Sequence, residues 1–235
     1  MKKKVMMIAG LLTIGIVGFS QAVKDRQVIP VAVNLNQVLR MTITNGGNIE
    51  FVFNSIDDYR DGLSADQATS GSANPGASEA FYQTDFTIAS STRWSLTYGS
   101  EEATFIGTDN PANVLALNNV GYDLVNNGTH VFEISGGAKG TTALSALFSA
   151  PTDNANSVAG LTNYPSLLIE DNDSGTVSNA GDATENSFSL LWRCGTVELT
   201  GVPIEMATES LLNQQPSPTP DRYVTNVLFE LAVDN

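Results

Sequence analysis

The chain has one cysteine and one histidine in 235 residues, and only 11 lysines and arginines against 25 aspartates and glutamates. Each scarcity closes off a class of function. With Cys194 alone no internal disulfide can form, so stability outside the cytoplasm has to come from packing and backbone hydrogen bonds. One His and one Cys also exclude metal centres that need several such ligands. A net charge of −14 repels phosphate backbones and anionic lipid, which argues against nucleic acid and bare membrane as partners. The apolar run 5–17 is shorter than the ~20 residues of a membrane-spanning helix, so no transmembrane anchor is expected. No G-x-S-x-G elbow, H-E-x-x-H helix or glycine-rich phosphate loop occurs, and the expectation is a protein that is not an enzyme. A spatial pair of carboxylates, as in glycosidases, is the one catalytic arrangement the composition leaves open.

What is present begins with a secretion address. Lys2, Lys3 and Lys4 precede the apolar run, and Ser20 and Ala22 supply small residues at −3 and −1 of a cleavage site. Residues 1–22 therefore read as a signal peptide, with the mature chain starting at Val23. No cysteine follows the site to take a lipid. The short lysine-rich leader has a bacterial look, and the expected location is extracellular or at the cell surface.

Beyond the leader, period-two alternation dominates and long helical periodicity is nearly absent. Ile29, Val31, Val33 and Leu35 share one face of a first strand. Leu39, Met41 and Ile43 do the same in the next. Asn45-Gly46-Gly47-Asn48 is turn chemistry followed by Ile49, Phe51 and Phe53, so 37–54 reads as a hairpin. Further strands are expected at 80–90, 93–99, 102–107, 129–135, 165–170 and 186–194, and the last runs from Tyr223 to Val233. Short helices fit 56–61, 143–149 and 203–212. Polar connections occupy 64–78, 151–164 and 171–185, and 216–220 reads as a polyproline II spacer. The expected fold is all-β: one antiparallel β-sandwich over 23–235 with long polar loops and a few short helices, a split near 110 or 155 being the alternative.

Several residues carry candidate chemistry. Asp171, Asp173 and Asp182, with Asn172 and Asn179 nearby, place oxygen ligands in one loop and make calcium the candidate cofactor. The loop departs from an EF-hand, with Gly175 and Thr176 in the wrong places and Asp182 where Glu is usual. Asp57, Asp58 and Asp61 form a second acidic cluster, partly neutralised by Arg60. Trp94 and Tyr98 alternate with Leu96 on one strand face, which suits either the core or a platform for surface glycans. His130 reads as a structural histidine in a strand beside Phe132 and Ile134. Asn127-Gly128-Thr129 is a glycosylation sequon that coincides with a turn signal. Cys194 continues the face Phe188, Leu190, Trp192 and so reads as core; an interchain disulfide and a reactive thiol are its other readings.

The sharpest pattern is at the ends. A strand alternating like Ile29, Val31, Val33 and Leu35 at a mature N-terminus suits either pairing within its own domain or insertion into a neighbour's sheet. Its main chain supplies affinity and its side chains set register. Repeated head to tail, that contact builds an open homopolymer. With the leader, this strand and the closing Arg222-Tyr223-Val224-Thr225-Asn226-Val227-Leu228-Phe229, the chain resembles secreted bacterial β-sandwich surface subunits, the pilin-like and spore-coat-U-like group. It lacks the intradomain cysteine pair of chaperone-dependent pilins. The resemblance implies self-assembly into a surface fibre or coat. The expected function is a secreted structural subunit that polymerises by terminal strand exchange. The alternative is an extracellular adhesion module binding carbohydrate or calcium.

Overall fold

A computed structural model of the chain describes residues 29–65, 82–130, 132–134, 159–171, 178–196 and 206–234. The chain divides into two compact units, 1–35 and 36–235. The expected leader, most of the calcium loop and the helix expected at 143–149 lie outside the described residues.

Within 36–235 the structure is antiparallel β. One sheet has the order β1 (Leu39–Asn45), β3 (Gln83–Ser90), β11 (Ser187–Cys194), β7 (Val120–Asn126), β9 (Ala159–Gly160), with β2 (Leu63–Ser64) added to the end of β11. The second runs β13 (Val227–Val233), β4 (Trp94–Ser100), β10 (Ser166–Asp171), β8 (Phe132–Ile134). A small third sheet joins β12 (Tyr223–Val224), β5 (Thr104–Gly107) and β6 (Val114–Ala116). No described helix is long and apolar enough to cross a membrane.

The first two sheets face each other because alternate residues of each are apolar and point the same way. Phe86, Ile88, Leu124, Phe188 and Leu190 from one sheet meet Trp94, Leu96, Tyr98 and Ile169 from the other, all fully buried. Aromatic rings link the layers. Trp94 meets Phe188 edge-on at 6.1 Å, Tyr98 meets Tyr122 edge-on at 5.2 Å, and Phe86 lies 6.2 Å from Phe229. The Tyr122 hydroxyl donates to the Tyr98 hydroxyl at 2.6 Å. Burial pushes the Tyr98 hydroxyl up to about 12, so both phenols stay neutral as hydrogen-bonding groups.

Asn179, 1 % exposed, clamps the start of β4. Its Oδ1 accepts from the Trp94 N–H at 3.0 Å, its Nδ2 donates to the Trp94 carbonyl at 2.7 Å, and its own carbonyl accepts from the Trp94 indole at 2.8 Å. A side chain here imitates a neighbouring strand. Asn179→Ala is expected to cost about 2–3 kcal/mol, since both side-chain bonds vanish in a dry site; urea unfolding checks it.

The single described α-helix, α1 (Ile56–Asp61), forms where expected. Ser55 Oγ accepts from the Asp58 N–H, and the Asp58 carboxylate accepts from the Ser55 N–H, a reciprocal cap. Three local expectations need correction. The described part of 203–212, residues 206–212, is turn and coil without helix. Strands β2, β6, β7 and β9 lie where none was expected. The hairpin over 37–54 does not form: β1 pairs with β3 from Leu39 opposite Ser90 to Asn45 opposite Asp85, and 49–53 joins no ladder. Turn residues lower the cost of reversing the chain without choosing its partner. Gly46, at φ 64°, packs so tightly on β3 that a Cβ would fall 1.8 Å from the Gln83 carbonyl oxygen, and the chain leaves the sheet there.

Candidate functional site

Among the described residues, β1 pairs only with β3 and β13 only with β4, each at the end of its sheet. These edges lie alongside each other. Next to them a groove of about 680 Å³ opens between two walls.

The first wall is 46–53. Ile49, Phe51 and Phe53 pack partly buried on the core, while Val52 is 54 % exposed. Stacking fixes this wall: Phe51 lies on Tyr82 at 4.6 Å, and Phe53 tilts against Tyr59 at 5.2 Å. The second wall runs from Pro218 to Phe229. Asp221 anchors it. Its carboxylate accepts from the Asp109 N–H at 3.0 Å, the Asn110 N–H at 3.2 Å, the Asn113 amide at 2.9 Å and the Arg222 N–H at 2.7 Å. Across the mouth, Arg222 Nε meets Glu50 Oε1 at 3.1 Å.

The Asp109 N–H, then the Asn113 amide and the other N–H donors hold the Asp221 carboxyl below its ordinary value of 3.8. A depressed folded value gives stability that is present above the unfolded value and lost as pH falls through the folded one. Asp221→Asn is therefore expected to lower the melting temperature at pH 7, with the difference from the parent shrinking below pH 3.8. Thermal scans of both proteins across acid pH check it.

The floor is core. Trp192, Leu161 and Cys194 are nearly buried, and Phe105 is partly buried. Cys194 is 4 % exposed, and burial pushes its thiol up to about 12. This favours the core role over a reactive thiol. Non-reducing electrophoresis is expected to show no disulfide-linked dimer.

The expected assembly strand has a distinct setting. Residues 29–35, expected as a first strand, are coil in the structure, and among the described residues they make no hydrogen bond and join no ladder. Ile29, Val31, Val33 and Leu35 are 84 %, 84 %, 74 % and 91 % exposed. Four large apolar side chains with the spacing of one strand face are thus left in water, an arrangement that folded chains seldom keep without a partner.

Other candidates resolve differently. Trp94, Leu96 and Tyr98 are fully buried, so they form no glycan platform. Arg60 pairs with Asp57 at 2.6 Å and Asp61 at 3.1 Å, and Asp58 is the helix cap, so that cluster is satisfied internally. His130 precedes β8 instead of lying inside a strand, and its Nδ1 shares a 2.8 Å hydrogen bond with Asn186 Oδ1. Asn127-Gly128 is a turn closed by the Gly128 N–H on Asn126 Oδ1 at 2.9 Å. In the calcium loop, the backbone of Asp171 ends β10 opposite Phe132, while its side chain and Asp173 lie outside what is described. Asp182 caps a turn, accepting from the Thr184 N–H at 2.7 Å and the Glu185 N–H at 3.2 Å, and these donors lower its carboxyl. Asn179 is the Trp94 clamp. Among the described residues no three His, Cys, Asp or Glu side chains stand close enough to hold a metal.

Sequence reasoning singled out the apolar segment 29–35, which forms no strand in the structure, and missed the groove. Its signal was present in Ile49, Phe51 and Phe53, whose alternation was assigned to a hairpin arm. Comparison with models of known families and with curated proteins finds no match.

Proposed function

We propose that the chain is a secreted structural subunit, without enzymatic activity, that polymerises head to tail by lending residues 29–35 to the next copy. The single observation that supports this most is the exposure of Ile29, Val31, Val33 and Leu35 on a segment with no ladder partner among the described residues. The open groove supplies the other half of the contact: partly covered Phe51, Phe53 and Phe229 at the edge of the core. A donated strand satisfies both at once, its backbone completing a sheet and its alternate side chains filling the groove. The lending surface differs from the receiving surface, so the contact repeats without closing and the product is a filament. Secretion, through the 1–22 leader, places that filament outside the cell.

The experiment is negative-stain electron microscopy of residues 23–235 beside a chain starting at Asn36. Filaments from the first and dispersed folded particles from the second are expected. Dispersed particles from both would sink the proposal.

A further inference from the structure

We infer that the strand lent by a second copy pairs with Ile49–Phe53, and that assembly converts this segment from coil into a strand. The inference rests on the strand-lending proposal and names its receiving surface.

Ile49–Phe53 has the alternating burial of a strand without a ladder among the described residues. Its odd residues turn to the core and its even residues, Glu50 and Val52, turn to solvent. Its ends are fixed by Gly46 against β3 and by the Asn54 N–H, which donates to Asp58 at 2.8 Å. Among the described residues its backbone makes one hydrogen bond, the Val52 carbonyl accepting from the Asn54 amide. Half-buried backbone groups of this kind gain most from a new partner strand.

The lent segment matches this vacancy in pattern. Residues 29–35 carry no charge, and their odd positions are all large and apolar, as are those of 49–53. Upstream lie Lys24, Asp25 and Arg26, with one net positive charge, while the rim of the groove carries Glu50, Asp221 and Arg222, with one net negative charge. Proline orients the strand. In an extended chain the N–H groups of alternate residues point to the same edge, so Pro30 depletes the even edge and leaves the odd edge complete. The second wall contains Pro218 and Pro220, which also lack N–H groups. Pairing is least impaired when the complete odd edge meets 49–53 and the Pro30 edge faces the proline wall.

Hydrogen exchange of the full chain, dispersed and assembled, reads this directly. Amides within 49–53 are expected to slow at least a hundredfold on assembly. A second measurement places the strand: Ala32→Cys is combined with Val52→Cys in one protein and with Leu228→Cys, on β13, in another. Oxidation of the first is expected to give a ladder of chain multiples on a non-reducing gel. Filaments whose 49–53 amides exchange as fast as before, or a ladder from the Leu228 protein alone, would overturn the inference and leave the polymer standing. Absence of filaments overturns both.

Discussion

Trp94→Ala is expected to cost about 3–5 kcal/mol, the range for removing a buried tryptophan or phenylalanine. That is a large share of the ~5–15 kcal/mol that holds a domain folded. Trp94 is fully buried, packs edge-on against Phe188 of the opposite sheet, and anchors the Asn179 clamp through its indole N–H. Truncation opens a cavity between the layers and removes the donor to the Asn179 carbonyl. Guanidinium unfolding followed by the remaining Trp192 fluorescence measures the loss. Trp94→Phe, which keeps most of the ring contact and loses the indole bond, should fall between the two. A loss below about 1 kcal/mol in the alanine protein would mean that the sheets are not held together through this residue.

The residues that made the fold legible are the ones with a clean period of two. In β4, β11 and β13 the alternation Trp94-Leu96-Tyr98, Phe188-Leu190-Trp192 and Val227-Phe229-Leu231 survives every neighbouring side chain, and each segment is a strand in the structure. Strand β7 has the same alternation in Val120, Tyr122 and Leu124, yet Gly121 and Asp123 between them imitate a turn. The glycine has a tertiary cause: a Cβ on Gly121 would come within 2.3 Å of the Met206 sulfur and 2.8 Å of the Ala159 carbonyl oxygen, and the approach of those chains is invisible in the local pattern. The hairpin failed for a related reason. Local alternation identifies a strand-like segment without naming its partner, and β3 took the edge of β1 that 49–53 was expected to fill. The same limit governed the candidate site. The exposed apolar segment 29–35 is contiguous and could be read directly, whereas the groove joins 46–53 to 218–229 and exists only once the chain has folded. Asn179 shows the converse: in sequence it belonged to an oxygen-rich loop, while in the fold it serves the core.

Val31→Asp with Val33→Asp in one chain is expected to abolish filaments while leaving the rest folded. Both side chains are exposed in the chain described here, 84 % and 74 %, so their replacement disturbs none of the packing between the sheets. In the proposed filament each valine would gain about 1.5–3 kcal/mol from burial. Each aspartate loses that gain and adds the cost of placing an unpartnered carboxylate against Phe51, Phe53 and Phe229. Together the two changes exceed about 3 kcal/mol per contact, which lowers subunit affinity at least about a hundredfold. They also add negative charge to a chain already at −14, so copies repel more strongly as they approach. Raising the salt concentration weakens that repulsion and should speed assembly of the parent chain without rescuing the double variant, whose deficit is burial. Val31→Ile with Val33→Ile, which keeps the apolar face, is expected to retain filaments. Sedimentation separates polymer from monomer, and circular dichroism with thermal melting reports the fold. A double aspartate protein that unfolds would show that these valines belong to their own chain's core, and one that still forms filaments would show that the subunits join through another surface.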